Sequence, residues 1–443
     1  MIIGSEKLRL VRTLPLAALL LAACFLAQSA HAAPFVVGTC MSGTHFTSIS
    51  AAVAAVPAGS TIHVCPGTYA EQVMITTSNL TLVGVESGTS DAAVVIAPSG
   101  GVVANAADIF GSPVAAQIFV QNATGVTIAR LTVDGSANQL SSCATDFDGI
   151  YFQNSSGTVT DSAVRNQILA SADLGCQLGL AIIVQSNTGT SAVTISNNSV
   201  RNYQKTGITA DGPGTGGGPS VTVTGNTVIG IGANPSIAQN GIQIGFGATG
   251  TVQNNHIADD IYTGSGAQGT GVLIYASEGV TVTNNTIEST QFAVSTATDP
   301  TYGPANGTTV TSNHIGGTQN FDAIDLCSNN NTAESNVIYG SAQSGVHADD
   351  SCPSSGTGNT IEHNTINEAC AGILEGPSAT GNTVTPNTFF NVTTTVLTGT
   401  DTCTPPTAAS AATAAAMTAD GSAPKTHAAG RPSPYRSNAH QTN

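Results

Sequence analysis

The sequence has no tryptophan and few charged residues. Of its 443 residues, 8% are charged and 5% are aromatic. Basic residues are the scarcest class, with 10 Lys and Arg against 26 Asp and Glu, for a net charge of −16. A surface that follows nucleic-acid phosphates needs clustered Lys and Arg. The composition therefore excludes nucleic acid as a partner and predicts an acidic protein.

Long apolar runs occur only near the N-terminus. Lys7, Arg9 and Arg12 precede an apolar run from Leu14 to Ala27, and small residues follow it up to Ala30-His31-Ala32. This pattern is typical of a secretory signal over residues 1–32. Its removal leaves 25 acidic residues (26 − 1) and 7 basic residues (10 − 3), a net charge of −18. We expect a secreted or periplasmic protein with no later transmembrane segment. The lipobox-like Leu21-Ala22-Ala23-Cys24 leaves a lipoprotein anchored at Cys24 as the alternative.

Two short phrases alternate along the chain from residue 148 onward. The first is a small residue followed by apolar-x-apolar, as in Gly149-Ile150-Tyr151-Phe152 and Gly241-Ile242-Gln243-Ile244. It recurs every 22 to 34 residues, which is the period of solenoid and β-helix repeats. One unit has too little apolar surface to fold alone, so the coils must stack. The repeat predicts an all-β fold, a right-handed parallel β-helix, over residues 33–403.

Alternation within the first phrase predicts which side chains point inward. Apolar side chains at every second position form an internal ladder, and their neighbours, from Tyr151 to Leu374, are predicted to face solvent. The second phrase is Asn-x-apolar, and its Asn is predicted to stack at a turn, where its backbone tolerates a left-handed conformation. The ladder residues are Ile150, Ile182, Ile208, Ile242, Val272, Val294, Ile324, Val346 and Ile373. The stacked Asn residues are Asn198, Asn226, Asn255, Asn285, Asn313, Asn336, Asn364 and Asn387.

Eight cysteines remain when Cys24 is set aside. An even number in an exported chain indicates disulfides, and no spacing is typical of a zinc site. Sequence alone does not give the connectivity, but stacked coils bring cysteines at like positions together. The expected pairs are Cys40 with Cys65, Cys143 with Cys176, Cys327 with Cys352, and Cys370 with Cys403.

The two ends of the repeat differ from its middle. Ser48 to Val56 is amphipathic and is followed by Pro57 and a strand from Thr61 to Cys65. A short helix there would cap the open N-terminal end of the solenoid. Residues 404–443 are rich in Ala, Thr, Ser and Pro without periodicity, which predicts a disordered tail.

The N-terminal stretch resembles the opening coil of the pectin-lyase-like superfamily. Gly67-Thr68-Tyr69-Ala70-Glu71-Gln72-Val73 is similar to a G-T-Y-x-E-x-V phrase of pectinesterases and of periplasmic β-helix proteins of nitrous-oxide-reductase maturation. The resemblance extends from Phe35 to Cys403 and implies the β-helix fold. It implies no particular activity, because the Arg-x-Trp of pectinesterases is absent and polygalacturonase phrases occur only as fragments in another order.

Acidic residues and one histidine gather on the C-terminal coils. The outward positions bring together Asp325, His347 and Asp349, with Asp322 and Asp350 beside them. The Asp325 and Asp349 carboxylates would lie roughly 8 Å apart, within the range for glycosidic hydrolysis with inversion. His347 would serve as acid or base. No cofactor is required, although the carboxylates can hold Ca²⁺. The alternative is a solvated acidic surface.

Other outward residues suggest contacts with a sugar or a structural pair. Tyr151, Gln243 and Tyr275 lie on the outward positions as candidate substrate-binding residues, since tyrosine rings stack on sugars. A polyuronate lyase would need a basic residue such as Arg165. Asp134 occupies the equivalent place one coil earlier, so a surface Asp134–Arg165 ion pair is the preferred interpretation.

Two classes of function remain open. The first is a hydrolase or lyase that acts on an extracellular polysaccharide, and the second is a noncatalytic β-helix that binds glycan or protein. In either class we expect a monomer. The fold does not decide between them, because one fold hosts many functions.

Overall fold

The computed structural model describes residues 1, 33–86, 92–214, 216–318, 321–400 and 403. Most of the expected export signal, with Cys24, and the expected tail lie outside the described residues. Within the described part, no helix has the length and apolar character needed to cross a membrane. Parallel pairing dominates two sheets, one of 13 strands and one of 23 strands.

The 13-stranded sheet, called sheet A, contributes one strand to each coil. Its strands are Phe35–Val37, Thr44–Phe46, Thr61–Val64, Thr81–Gly84, Val126–Ala129, Gly157–Thr160, Ala192–Ser196, Ser220–Thr224, Thr249–Gln253, Thr281–Thr283, Thr309–Thr311, Thr332–Glu334 and Thr360–Glu362.

The 23-stranded sheet, called sheet B, contributes two strands to most coils, which form a short row and a long row. The short row contains Gly67–Ala70, Ala93–Ile96, Thr132–Asp134, Ala163–Arg165, Ser199–Arg201, Thr227–Ile229, His256–Ala258, Thr286–Glu288, His314–Gly316 and Thr388–Phe390. The long row contains Val73–Ile75, Pro113–Gln121, Asp146–Gln153, Leu180–Gln185, Thr206–Asp211, Asn240–Gly245, Thr270–Tyr275, Phe292–Ala297, Ile324–Cys327 and Thr394–Thr398. Two strands run through both rows, Val337–Ala348 and Thr365–Glu375. A two-residue strand, Ala106–Ala107, pairs antiparallel with the long row.

The coils stack in the register that the repeat predicts. Ile150 lies opposite Ile182, which lies opposite Ile208 on the next coil. All nine residues of the predicted ladder are fully buried in one continuous core. Burial of such a side chain contributes about 1.5–3 kcal/mol. Each coil is therefore stabilised by its neighbours, as stacking requires.

The stacked Asn residues form an unbroken hydrogen-bonded column. Nδ2 of each donates to Oδ1 of the equivalent Asn on the next coil at 2.9–3.0 Å, from Asn198 to Asn387. The predicted stacking is confirmed. The left-handed backbone conformation is taken by the preceding residue, as at Asn197, Asn254 and Asn284. That residue makes the turn and leaves the column Asn free to bond its neighbours.

All four expected disulfides are present. They join Cys40 to Cys65, Cys143 to Cys176, Cys327 to Cys352 and Cys370 to Cys403. Each pair links residues 25 or 33 positions apart in sequence. Four disulfides fit a protein that resides in an oxidising, extracytoplasmic compartment.

The N-terminal cap explains the G-T-Y-x-E phrase. Helix α1 spans Ile49–Ala55, and the Ser48 side chain accepts from the Ala51 N–H. The Glu71 carboxylate accepts from the backbone N–H groups of Ile49 and Ser50 at 2.8 and 2.9 Å. A carboxylate is favourable at a helix N-terminus because the unpaired N–H groups there carry partial positive charge. In this chain the glutamate of the phrase therefore has a capping role. A 3-10 turn lies elsewhere, at Ser171–Asp173.

Candidate functional site

The outer face of the long row, which points away from the core, is covered instead of facing solvent. Tyr151 is 0% exposed, Gln243 4% and Tyr275 7%. The expectation that these positions face solvent is therefore wrong. Alternation did direct the side chains outward, but connecting segments fold over them.

One covering segment, residues 97–112, accounts for much of this burial. The Ala107 carbonyl accepts from Gln153 Nε2 at 2.6 Å, and the Ile109 N–H donates to Gln185 Oε1 at 3.3 Å. The ring of Phe110 meets Phe246 edge-on, with centroids 6.2 Å apart. The covering segment thus reaches across several coils of the long row.

The three candidate substrate-binding residues all have protein partners. The Tyr151 hydroxyl donates to Gln185 Oε1 at 2.6 Å, and its ring stacks on Phe119 with centroids 5.1 Å apart. Gln243 Nε2 donates to Asp211 Oδ1 at 3.1 Å. The Tyr275 hydroxyl donates to Asp299. A sugar would reach Tyr151 only if the covering segment moved, so a substrate-binding role for these residues stays a prediction.

The structure brings together three of the five candidate catalytic residues. One carboxylate oxygen each of Asp322 and Asp325 and one ring nitrogen of His347 lie within 4.8 Å of one another. Asp322 Oδ2 lies 3.1 Å from His347 Nδ1, and Asp325 Oδ2 accepts from the Ser295 hydroxyl at 2.8 Å. Asp322 is 2% exposed and Asp325 1%, whereas the His347 side chain is 15% exposed. The imidazole is the part of this group that solvent reaches.

The carboxylates control the protonation of His347. Burial opposes the charged imidazole, but the charge and hydrogen bond of Asp322 outweigh that cost. With the charges of Asp349 and Asp325 added, the pKa of His347 rises to about 9. The imidazole is therefore a cation at neutral pH.

The remaining two candidates occupy different positions. Asp349 lies two residues after His347, and its carboxylate accepts from the Ser351 N–H and hydroxyl at 2.7 and 2.8 Å. The Asp350 carboxylate accepts from the Ser378 N–H on the next coil. We call Asp322, Asp325, His347 and Asp349 the His347 cluster; Asp350 faces a connecting turn outside it.

The Asp134 and Arg165 side chains form the ion pair that their sequence positions predict. Arg165 Nε lies 2.8 Å from Asp134 Oδ2. Burial raises the pKa of Asp134, but hydrogen bonds from Asn166, Ser136 and Arg165 outweigh it and lower the pKa to about 2. This pairing supports a structural role for Arg165.

Sequence reasoning missed a second acidic group on the outer face. We call it the covered acidic pocket: Asp108, Asp146, Asp148 and Asp211, of which Asp148 and Asp211 are 0% exposed. Burial is the largest cause that raises the pKa of each carboxyl. The pKa is about 7 for Asp146 and for Asp211, and well above its usual range for Asp148.

The outward direction of some of these carboxyls could have been predicted from the sequence. Asp211 lies on an outward stripe, two residues after Thr209, and Asp146 and Asp148 alternate along one strand. A Cβ added at Gly245 would lie 2.5 Å from Asp211 Oδ1, so glycine on the next coil gives this carboxylate its room. Asp108 belongs to the covering segment, which has no repeat, and no sequence signal predicts its place.

Repeated coils that pair in parallel register define a class: the parallel β-helix proteins. Residues 88–291 and 181–389 match the family described as right handed beta helix region. These matches together cover more than half of the chain, so the chain belongs to that family. The predicted right-handed parallel β-helix is confirmed. No curated protein matches the chain in sequence.

Solved structures with the same fold carry different descriptions. PfbA, a surface adhesin of Streptococcus pneumoniae, is 14% identical over 81% of this chain and 90% of its own, with a TM-score of 0.50. A family 28 exopolygalacturonase of Yersinia enterocolitica is 11% identical over 84% of this chain and 79% of its own, with a TM-score of 0.54. A lacto-N-biosidase from Eubacterium ramulus is 10% identical over 77% of this chain and 64% of its own, with a TM-score of 0.53. This chain thus spans just under two thirds of the biosidase, and the likenesses show the fold alone.

Proposed function

We propose that this chain is an exported enzyme that cleaves an extracellular polysaccharide, with the His347 cluster as its active site. The observation that carries the proposal is the Asp322–His347 pair. A buried carboxylate orients an imidazole that solvent still reaches, and Asp325 lies beside both. Glycosidic hydrolysis needs an oriented proton donor and carboxylates that act as base and stabilise positive charge on the sugar. The expected N-terminal signal and the four disulfides support export.

The proposed reaction uses the cluster for acid and base chemistry. His347, as the imidazolium, donates a proton to the leaving glycosidic oxygen while the bond from that oxygen to the anomeric carbon breaks. Asp349 accepts a proton from the water whose oxygen bonds to the same carbon, while Asp325, beside His347, stabilises the positive charge that develops on the sugar ring. Attack from the opposite side inverts the configuration. Since the chain is acidic, a neutral polysaccharide is favoured over a polyuronate.

A noncatalytic glycan-binding role is the second candidate. It is favoured by two exposed aromatic residues on the short-row part of the C-terminal coils. Tyr339 and Phe390 are each 53% exposed and lie at the same register position, with Asn367 between them. Two coils separate them by about 9.6 Å. Exposed aromatic rings at such a spacing can stack on a sugar chain.

A polysaccharide panel tests the proposal. The purified chain is incubated with neutral and acidic polysaccharides, with and without Ca²⁺, and reducing ends and unsaturated products are measured. We expect reducing ends without unsaturation, and at least a hundredfold loss of rate in Asp325→Asn and His347→Gln. Asp161→Asn is the matched control. The Asp161 side chain is exposed, and its left-handed backbone conformation also suits Asn.

The outcomes separate the candidates. Unsaturated products would indicate a lyase and contradict hydrolysis. No product from any substrate, together with glycan retention that Tyr339→Ala and Phe390→Ala abolish, would replace the enzyme with the binding protein.

A further inference from the structure

One outward position of sheet A is occupied by threonine on twelve neighbouring coils. Thr61 lies opposite Thr81 in the parallel register, and the same pairing continues from coil to coil as far as Thr383. Strand propensity alone favours Val, Ile or Tyr equally at such a position, so it does not explain a hydroxyl on every coil. We call this set the threonine column: Thr61, Thr81, Thr127, Thr158, Thr194, Thr222, Thr251, Thr281, Thr309, Thr332, Thr360 and Thr383.

A second set of hydroxyls lies two residues further along the same strands. The residue between the two positions, such as Val159 or Val223, is 0% exposed and points into the core. Both hydroxyls of a coil therefore point outward. Gln253 takes the second position on one coil. The hydroxyl-bearing residues at this position, which we call the second column, are Thr160, Ser196, Thr224, Thr283 and Thr311.

The hydroxyls of the threonine column are ordered and are available to a ligand. Among the described residues, none of them takes part in a hydrogen bond with another protein group. Thr61 and Thr383 are exposed and the other ten residues are half-buried, so solvent reaches the whole column. A β-branched side chain has few χ1 rotamers, and its neighbours on both coils restrict them further. The column is therefore a regular array of groups that bond water.

The composition of the two columns narrows the kind of ligand. From the coil of Thr158 to the coil of Thr311, neither column contains a charged or aromatic residue. Such a face has no charge to complement an ionic partner and no ring to stack on a sugar. Charge enters the second column further on, at Glu334 and Glu362. The middle of the face suits a neutral lattice of hydrogen-bonding groups.

The spacing of the hydroxyls fits one such lattice. Neighbouring strands lie about 4.8 Å apart, and residues two apart along a strand lie about 6.6 Å apart. Hexagonal ice repeats its oxygen atoms along one axis at nearly the first interval. In the perpendicular direction it repeats them at an interval slightly longer than the second. The two columns therefore match the ice lattice in both directions.

We propose that the outer face of sheet A binds ice, with the threonine column as the main contact. The hydroxyls bond water molecules at the intervals of the lattice, and the adjoining methyl groups restrict the orientation of the water between them. Each contact is weak, but an ice surface meets many coils at once. This face lies on a different sheet from the His347 cluster, so ice binding does not depend on the proposed activity.

Inhibition of ice recrystallisation by the purified chain is the direct test. We expect the wild-type chain to keep ice crystals small and to enter a growing ice surface from solution. Thr222→Tyr places a bulky ring in the middle of the column. It should raise the concentration needed for inhibition about tenfold or more, which corresponds to the loss of one or two hydrogen bonds. Tyrosine favours strands, so the thermal midpoint should be unchanged.

Thr286→Tyr is the matched control. Thr286 is an exposed strand residue of the short row, on sheet B. The same substitution there should leave inhibition of ice recrystallisation unchanged. Thr222→Ser keeps the hydroxyl but removes the methyl group and the χ1 restriction, so it should give a smaller loss than Thr222→Tyr.

Three results would overturn the proposal. The first is a folded wild-type chain that has no effect on ice. The second is equal inhibition by Thr222→Tyr and Thr286→Tyr. The third is retention on crystalline cellulose or chitin that Thr222→Tyr abolishes, in a chain without affinity for ice. That result would assign the face to a sugar lattice.

Discussion

The His347 cluster and the covered acidic pocket both lie on the outer face of the long row, yet their charges are balanced differently. At the His347 cluster, three carboxylates surround one imidazole that they keep protonated. At the covered acidic pocket, four carboxyls surround one another and are held towards the neutral form. The acidic residues of one region therefore hold a neighbouring imidazole as a cation, whereas those of the other region are themselves held towards the neutral form.

Access to solvent separates the two regions further. The His347 side chain is 15% exposed, so a substrate can approach its ring. Asp148 and Asp211 are 0% exposed beneath or beside the covering segment. The first region suits chemistry on a large substrate. The second region is closed to such a substrate.

Removing the anionic partner at the His347 cluster should give the largest effect. Asp322→Asn leaves a largely buried imidazolium without its closest carboxylate, and loss of such a partner costs about 3 kcal/mol. We expect that decrease in the free energy of unfolding at pH 7, measured by urea denaturation. Asp350→Asn, just outside the cluster, should cost less than about 1 kcal/mol. Equal losses in the two variants would show that Asp322 does not pair with a cation.

The pH dependence of stability should distinguish the two regions. The folded pKa of His347, about 9, exceeds its ordinary 6.5, so its contribution is complete below pH 6.5 and is lost as pH rises through 9. Since the ring is partly exposed, we expect a loss of roughly 2 kcal/mol. His347→Gln should flatten this part of the urea-unfolding profile.

The covered acidic pocket should act in a lower pH window. The folded pKa of Asp211, about 7, exceeds its ordinary 3.8. Ionisation of this residue therefore costs no stability below pH 3.8 and progressively more as pH rises to 7. Asp211→Asn should remove the pH dependence of stability between pH 3.8 and 7 and leave the pH dependence above pH 7 unchanged. If either variant flattens both windows, the two regions do not titrate independently.

The sequence predicted the features of the fold that depend on the repeat. Ile182 and Asn226 could be placed because each has an equivalent on neighbouring coils, and Cys143 could be paired with Cys176 for the same reason. The covering of Tyr151 could not be predicted, because it depends on where the segment with Ile109 folds, and that segment has no period. The His347 cluster was found from outward positions, whereas the pocket needed tertiary contacts.

A smaller effect of opposite sign is expected from the covered acidic pocket. Asp148→Asn removes a buried carboxyl whose oxygens have no hydrogen-bond partner among the described residues and replaces it with a neutral amide of similar shape. At pH 8, we expect the variant to be more stable than wild type by about 1 kcal/mol. A destabilised variant, measured by thermal unfolding, would mean that Asp148 is already satisfied by the protein.

The smallest effect tests how the covering segment is held. Tyr151→Phe keeps the ring stacked on Phe119 but removes the hydroxyl that donates to Gln185 and accepts from Gln153. Both amides also bond the covering segment, through Ile109 and Ala107. Loss of one such hydrogen bond costs about 1 kcal/mol or less, so thermal unfolding should change little. Hydrogen exchange at residues 97–112 should nevertheless quicken, because the amides lose the phenol that orients them. Unchanged exchange would mean that the aromatic contact of Phe110, and not this polar network, holds the covering segment closed.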